Sequence, residues 1–110
     1  MPSVGPALVR RYYEALDEGA YDDLESLLAP TFVQRRPDRA FDGPDAFVRF
    51  MREDRPVTGT THELDDVFGS GDRVAARGRL LDGDGDLLVE FADHFRIADG
   101  RIARLETYTR

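Results

Sequence analysis

The sequence has no cysteine and no long apolar run, and both absences narrow the class of protein. Without cysteine, neither a disulfide scaffold nor a thiolate metal site can form, as is usual in the reducing cytosol. No segment approaches the roughly 20 apolar residues of a membrane span. The N-terminus also lacks the basic segment and short apolar run of a secretory signal. We therefore expect a soluble, cytoplasmic protein that does not bind membranes.

Lysine is absent as well, so all 15 basic residues are arginine, and the formal net charge is −7. An acidic surface repels phosphate backbones, so we do not expect nucleic acid as a partner. Aspartate exceeds glutamate about two to one, which together with the missing lysine is typical of a salt-adapted organism. A GC-rich genome by itself would also explain the missing lysine, and the two explanations stay open.

Helical patterns occupy the first half of the chain. Apolar residues recur at helical spacing from Ala7 to Glu18, and Gly19 follows as a C-cap. A second short helix is predicted within "YDDLESLLAP", with Pro30 just beyond its end. A third is predicted in residues 42–54, where an aspartate stands at the cap position and a proline in the first turn. The first half therefore predicts three helices.

The second half alternates short apolar runs with turn residues. The turns "GSGD", "DGDGD" and "ADG" separate these runs, which predicts successive antiparallel hairpins. One earlier strand is predicted in residues 31–36. Because no linker or repeat divides the chain, we expect residues 1–110 to form a single α+β domain whose curved sheet wraps around the helices.

An aspartate stands among apolar residues in "FADHFRIADGRI", residues 91–102. In a strand, Phe91, Asp93 and Phe95 face one side while His94 faces the other, because side chains alternate. A carboxyl on an apolar face must be paired, hydrogen-bonded or kept neutral. Asp93 is therefore either part of a structural hydrogen-bond network or a functional acid.

Four segments occur in the order and spacing of a known superfamily: "VRRYYEALDEGAYDDLESLLAPTF", "FDGPDAFVRFM", "SGDRVAARGRL" and "DHFRIADGRIARLETY". They resemble the nuclear transport factor 2-like proteins, and most closely the SnoaL-like polyketide cyclase and ketosteroid isomerase branch. The resemblance implies a cone-shaped α+β barrel, with three N-terminal helices packed in a strongly curved antiparallel sheet and an apolar pocket at its open end. It also implies a homodimer formed through the outer face of the sheet, where alternation places Leu88, Glu90, Ala92 and His94.

The resemblance also implies two polar anchors in the pocket. In ketosteroid isomerases a tyrosine and a neutral aspartic acid form an oxyanion hole, and Tyr12 and Asp93 stand at the matching positions. A neutral carboxyl there would donate a hydrogen bond to a substrate carbonyl as it becomes an enolate. The alternative is that Asp93 bonds the helix backbone or Tyr12 and does no chemistry.

The general base of those isomerases has no counterpart in this sequence. They carry a carboxylate on the first strand just before a proline, whereas here Arg36 precedes Pro37, and an arginine cannot take a proton from carbon. We therefore do not expect classical ketosteroid isomerase activity. If Arg36 points inward, its charge would lower the pKa of Asp93 and favour a polar or anionic ligand. A one-residue register shift would instead turn Val33 and Arg35 inward.

His62 is the other candidate proton carrier. In "THELDDVF" it alternates with Leu64 and Phe68, which favours the core side of a strand, and an imidazole titrates near neutral pH. A hydrogen-bonded core histidine is the alternative. His94 faces away from Asp93, toward solvent or a subunit interface.

A bound small molecule is expected to contact both the helices and the sheet. In "RVAARGRLL", Ala76 and Gly78 leave room for a ligand unless Phe47 or Phe91 fills it. The full set of candidate ligand-binding residues is Leu16, Phe32, Gln34, Arg36, Phe47, Phe50, Met51, Ala76, Gly78, Phe91, Leu105 and Thr107.

Two functional hypotheses remain. The acidic run in residues 82–86 lacks the spacing of a calcium loop, and no dinucleotide motif is present, so we expect no metal and no cofactor. The first hypothesis is a cofactor-free isomerase, cyclase or dehydratase acting on an apolar carbonyl compound, with Tyr12, His62 and Asp93 as catalytic residues. The second is a ligand-binding or dimerisation domain of the same fold without turnover.

Overall fold

Three helices pack beside the sheet in the computed structural model, which describes residues 4–55 and 59–110. They are α1 (Val4–Glu18), α2 (Tyr21–Ser26) and α3 (Pro44–Arg49), and a π-helical turn (Phe50–Asp54) continues α3. No helix in the described part of the chain combines the length and the apolar character that crossing a bilayer requires. The prediction of three N-terminal helices is confirmed.

Six strands form one mixed sheet. They are β1 (Leu28–Arg35), β2 (Ala40–Asp42), β3 (Thr61–Ser70), β4 (Arg73–Leu81), β5 (Leu87–Ala98) and β6 (Arg101–Thr109). Their spatial order is β2-β1-β6-β5-β4-β3. The hairpins are antiparallel as expected, but β1 pairs with β6 in parallel, so the sheet is not wholly antiparallel. Within the described residues β2 and β3 are edge strands, and the sheet is therefore curved but not closed.

Two predicted boundaries are confirmed by backbone geometry. Gly19 has φ 67° and its N–H donates to the Leu16 carbonyl at 3.3 Å, while the Ala20 N–H donates to Ala15 at 2.9 Å. These two bonds are the pair that ends a helix in a Schellman motif. Asp99 and Gly100 both have positive φ, which suits the two-residue turn that joins β5 to β6.

Two other boundaries differ from the prediction. Helix α2 ends at Ser26, because Leu28 already belongs to β1 and pairs with Ile102 of β6. The cap of α3 is Gly43, with φ 92° and no side-chain cap bond, so the aspartate before it, Asp42, does not cap the helix. Both differences arise where the start of a strand or an unusual backbone angle overrides local propensity.

The core lies between the helices and the inner face of the sheet. Side chains at alternate positions of β5 and β6 meet the apolar face of α1 and α3. Four residues that the sequence placed among the ligand-binding candidates belong to this packed core and do not line the cavity described below: Phe32, Phe47, Ala76 and Leu105. Three of the four are large, and their volume is used for packing.

Gly78 also differs from the expectation that it leaves space for a ligand. It pairs with Leu64 of β3, beside a register shift between Leu64 and Asp66. A Cβ added at Gly78 would collide with the carbonyl oxygen of Glu63 and would lie 3.0 Å from the Leu64 Cα. The glycine therefore permits two strands to approach closely at a bulge.

We expect Gly78→Ala to destabilise the protein by about 2 kcal/mol, because backbone atoms cannot move aside as a flexible side chain can. Gly83→Ala is the matched control, since a Cβ there meets its nearest atom at 3.8 Å. Urea unfolding followed by circular dichroism measures both variants. Equal stability of the two would show that β3 shifts freely at the bulge.

Candidate functional site

A cavity of about 310 Å³ lies between α1, the π-helical turn and the inner face of the sheet. Its size is at the low end of the ~300–1,000 Å³ usual for small-molecule sites, which suits a ligand of one or two rings. Most of the predicted site residues line it: Tyr12, Leu16, Gln34, Arg36, Phe50, Met51, His62, Phe91, Asp93 and Thr107. The remaining predictions fall in the core or, for Gly78, at the bulge.

Asp93 is the centre of a buried hydrogen-bond network. The Tyr13 hydroxyl donates to its Oδ2 at 2.5 Å, and the Thr107 hydroxyl donates to its Oδ1 at 2.6 Å. The amide nitrogen of Gln34 donates to the Thr107 hydroxyl at 3.0 Å. Burial raises the pKa of Asp93, while the bonds from Thr107 and Tyr13 act in the opposite direction. The carboxyl is therefore satisfied by hydrogen bonds and still harder to ionise than usual.

Tyr13, which the sequence did not single out, is the tyrosine that bonds Asp93. Its hydroxyl donates to the carboxyl. Burial is the largest cause that raises the pKa of Tyr13 far above its usual value, and the nearby Asp93 is the second. Tyr12 and Tyr13 are both buried, so α1 has a wide inner face. The adjacent pair "YY" in the sequence could have indicated a separate role for Tyr13, because two neighbouring residues on a helix point about 100° apart and reach different partners.

Tyr12 presents a hydroxyl without a partner to the cavity. Its ring packs edge-on against Tyr13 at 5.1 Å and Phe95 at 5.4 Å, and within the described residues its side chain makes no hydrogen bond. Burial raises the pKa of Tyr12 well above its usual value, Asp93 raises it further, and Arg36 lowers it. The group therefore stays neutral and can donate to a ligand.

His62 is held by Asp17, a residue that the sequence did not single out. The His62 Nδ1 lies 2.6 Å from Asp17 Oδ1, and the His62 backbone N–H donates to both oxygens at 3.0 and 3.1 Å. A carboxylate on Nδ1 favours the tautomer that carries its proton there and leaves Nε2 as an acceptor. Asp17 follows Tyr13 by one helical turn. This i, i+4 spacing could have indicated from the sequence that Asp17 lies on the inner face of α1.

Arg36 points inward, as one of the two predicted registers required. Phe32 and Gln34 are buried, whereas Arg35 is exposed, which excludes the register that turns Arg35 and Val33 inward. The Arg36 Nε is buried without a hydrogen-bond partner, and it lies 3.7 Å from an oxygen of Asp38. Arg36 makes no ion pair with Asp93 among the described residues.

Two features lie away from the cavity. His94 is on the outer face of β5, as alternation predicted. In the turn between β4 and β5, carboxylate oxygens of Asp82, Asp84 and Asp86 lie within 4.8 Å of one another. Asp82 Oδ1 accepts the backbone N–H groups of Asp84 and Asp86, each at 2.9 Å. This carboxylate therefore orders a hairpin turn.

Solved structures share this fold closely. A candidate ketosteroid isomerase from Kribbella flavida superposes with a TM-score of 0.86 at 21% identity, over 97% of this chain and 78% of that chain. A candidate polyketide cyclase from Sinorhizobium meliloti gives 0.80 at 25% identity, over 98% and 95%. An NTF2-like protein of unknown function from Burkholderia pseudomallei gives 0.83 at 22% identity, over 99% and 92%. These similarities confirm the predicted cone-shaped α+β fold.

Sequence comparison assigns the family. No curated protein matches the chain. The model of the SnoaL-like domain matches residues 9–105, which include most of α1, the cavity residues of β1 and β5, and the first half of β6. The resemblance seen in the sequence is confirmed over nearly the whole length, and the chain belongs to the SnoaL-like domain family.

Proposed function

We propose that this chain is a cofactor-free enzyme that moves a proton at a carbon next to a carbonyl group, as isomerases, cyclases and dehydratases do. The observation that carries the proposal is the pairing of His62 with Asp17 at 2.6 Å, in a cavity that also contains the unpartnered hydroxyl of Tyr12. An oriented imidazole and a neutral donor are the two groups that enolisation needs.

In the proposed mechanism, the substrate carbonyl accepts a hydrogen bond from the Tyr12 hydroxyl. The Nε2 atom of His62 takes a proton from the adjacent carbon, and Asp17 stabilises the imidazolium that forms. Negative charge then develops on the carbonyl oxygen, where the hydrogen bond from the Tyr12 hydroxyl stabilises it. Return of the proton from the His62 imidazolium to a different carbon completes an isomerisation. In a dehydration, the enolate expels a hydroxyl group from the next carbon, and the same proton converts that group to water as it leaves.

Asp93 has a different role in this proposal from the direct oxyanion donor that the resemblance implies. Both of its oxygens already accept hydrogen bonds, from Tyr13 and Thr107. We therefore assign Asp93 as a positioning residue that fixes the cavity wall through its hydrogen bonds with Tyr13 and Thr107. The classical steroid reaction remains outside the proposal, because the inward positions at the end of β1 carry Gln34 and Arg36.

The alternative is a ligand-binding domain of the same fold without turnover. The observation that favours it is that each oxygen of Asp93 accepts a hydrogen bond, one from Tyr13 and one from Thr107. A structural network requires its buried carboxyl to be hydrogen-bonded in this way. In that case the cavity binds a small molecule, and the pairing of His62 with Asp17 only anchors α1 to β3.

Proton exchange distinguishes the two functions. We expect the protein to accelerate deuterium incorporation into the methyl group of 2-acetonaphthone in D₂O, followed by proton NMR, since enolisation is the shared first step. Free imidazole at the same concentration is the control for unoriented base. If 2-acetonaphthone binds but exchanges no faster than with imidazole, the binding-domain alternative is correct.

The predicted homodimer is also part of this proposal. On the outer face of the sheet a groove of about 540 Å³ is bordered by Glu90 and Ala92, and Tyr108 beside it is 58% exposed. Leu88, the other apolar outer-face candidate, lines the cavity instead. We expect a molecular mass of two chains in light scattering, reduced to one chain by Ala92→Arg, which places a charge in the groove. A single-chain mass for the wild type would contradict the dimer.

A further inference from the structure

Arginine side chains gather at the cavity of a protein that is acidic overall. Arg36, Arg39 and Arg55 all line it, whereas Asp38 and Asp93 are its only lining carboxyls among the described residues. The net charge of the chain is −7, so the positive cavity is a local arrangement and does not follow from the composition. A concave site with this charge attracts an anion.

Among the described residues, three buried polar atoms of cavity-lining side chains have no hydrogen-bond partner. They are the Nε atoms of Arg36 and Arg55 and the Oε1 atom of Gln34. Gln34 is only 3% exposed, and its amide nitrogen is already committed to Thr107, which leaves the oxygen free. Buried polar groups are paired in the great majority of cases, so an unpaired one requires an explanation. The two arginine side chains are therefore not tied at Nε to a partner within the described residues.

Asp38 does not complete these interactions. Its Oδ2 accepts the Nε–H of Arg39 at 3.2 Å, and the Arg39 guanidinium also lies 4.5 Å from the centre of the Phe50 ring. The distance from Arg36 Nε to Asp38 is 3.7 Å, longer than a hydrogen bond. Asp38 therefore accepts a hydrogen bond from Arg39, and the guanidinium groups of Arg36 and Arg55 remain available to a ligand.

We infer that the substrate carries a carboxylate, bound by Arg36 and Arg55, in addition to the carbonyl that Tyr12 and His62 act on. The substrate class is thus a small keto acid. The inference rests on the proposed function for the carbonyl part only, because the guanidinium groups, the unpaired Nε atoms and the apolar Phe50 wall exist whether or not turnover occurs. Guanidinium groups suit this role because their donors match the two oxygens of a carboxylate.

Binding of a matched pair of probes tests the inference. 2-Naphthoate and 2-acetonaphthone have the same ring system and nearly the same shape, and they differ in charge. The chain has no tryptophan, so naphthalene fluorescence reports binding without interference. We expect 2-naphthoate to bind at least tenfold more tightly than 2-acetonaphthone. We expect Arg36→Gln and Arg55→Gln each to weaken 2-naphthoate tenfold or more and to change 2-acetonaphthone less than twofold.

Arg10→Gln is the matched control, because Arg10 is exposed on α1 and its loss changes the net charge equally. Circular dichroism of each variant verifies the fold. Equal affinity of the wild type for the two probes overturns the inference, and so does a loss of 2-naphthoate binding in Arg10→Gln as large as in Arg36→Gln. Deuterium exchange of 2-acetonaphthone in the same samples tests the proposed function separately. Preference for 2-naphthoate without exchange supports the carboxylate site and contradicts only the enzyme.

Discussion

Replacing Asp93 by alanine is expected to destabilise the fold by about 2 kcal/mol or more. Tyr13 is only 2% exposed, and its hydroxyl donates a hydrogen bond to Asp93 at 2.5 Å. The substitution removes this acceptor. The Thr107 hydroxyl loses its acceptor at the same time. The buried Tyr13 hydroxyl, left without an acceptor, costs more than the net strength of the bond that held it, because it loses a partner in a packed interior.

Equilibrium urea unfolding measures this loss, and Asp93→Asn is the conservative control. Asparagine keeps one oxygen acceptor for Tyr13, so we expect it to cost less than alanine does. Tyr13→Phe removes the donor from the other side of the same bond. An Asp93→Ala variant as stable as the wild type would show that the network adds nothing to folding.

The cost of Asp93 substitutions should also depend on pH, with a definite sign. Burial raises the pKa of Asp93 in the folded protein above the usual ~3.9 of an unfolded chain. The folded state then holds the proton more tightly, so the stability contribution is complete below about pH 4 and is lost as pH rises through the folded pKa. Asp93→Asn has no such titration. Its deficit relative to the wild type should therefore shrink as pH rises, and a deficit that grows would indicate an ionised, paired Asp93.

Replacing His62 by glutamine is expected to lower the rate of proton exchange at least a hundredfold, because the His62 imidazole is the base in the proposed mechanism and an amide cannot take its place. The backbone N–H of His62 still donates to Asp17 in this variant, so the anchor between α1 and β3 is largely kept. Deuterium exchange of 2-acetonaphthone at saturating concentration measures the effect on kcat. Binding of the same probe, followed by its fluorescence, should change little.

Asp17→Asn tests whether the carboxylate orients the imidazole. An amide can present its N–H₂ group to Nδ1 and favour the tautomer with the proton on Nε2, which cannot act as a base. We expect a rate loss similar to that of His62→Gln, with the double variant hardly slower than either single one. If the rate losses of the two single variants multiplied in the double variant, the two residues would not act as a unit.

Local patterns in the sequence predicted the structural features that depend only on residues close together in the chain. The end of α1 at Gly19, the two-residue turn at Asp99 and Gly100, and the inner face shared by Gln34 and Arg36 all follow from backbone angles and alternation. The boundary of α2 and the cap of α3 were wrong, because pairing of β1 with β6 and the geometry of Gly43 outweighed helix signals. For Ala76 and Gly78 the sequence left open whether a ligand or a large side chain fills the space beside them, and in the structure packing and a bulge account for these two residues.

By itself, the sequence determined the α+β order, the family resemblance, and the placement of an aspartate and a histidine on inner strand faces. Periodicity fixes the face on which a side chain lies, but it carries no information about the partner across the core. Only the tertiary structure decided that Tyr13 bonds Asp93, that Asp17 holds His62, and that the Nε atoms of Arg36 and Arg55 have no partner in residues 4–55 and 59–110. These partners come from helix α1 and distant strands, and close packing of the whole domain brings them together.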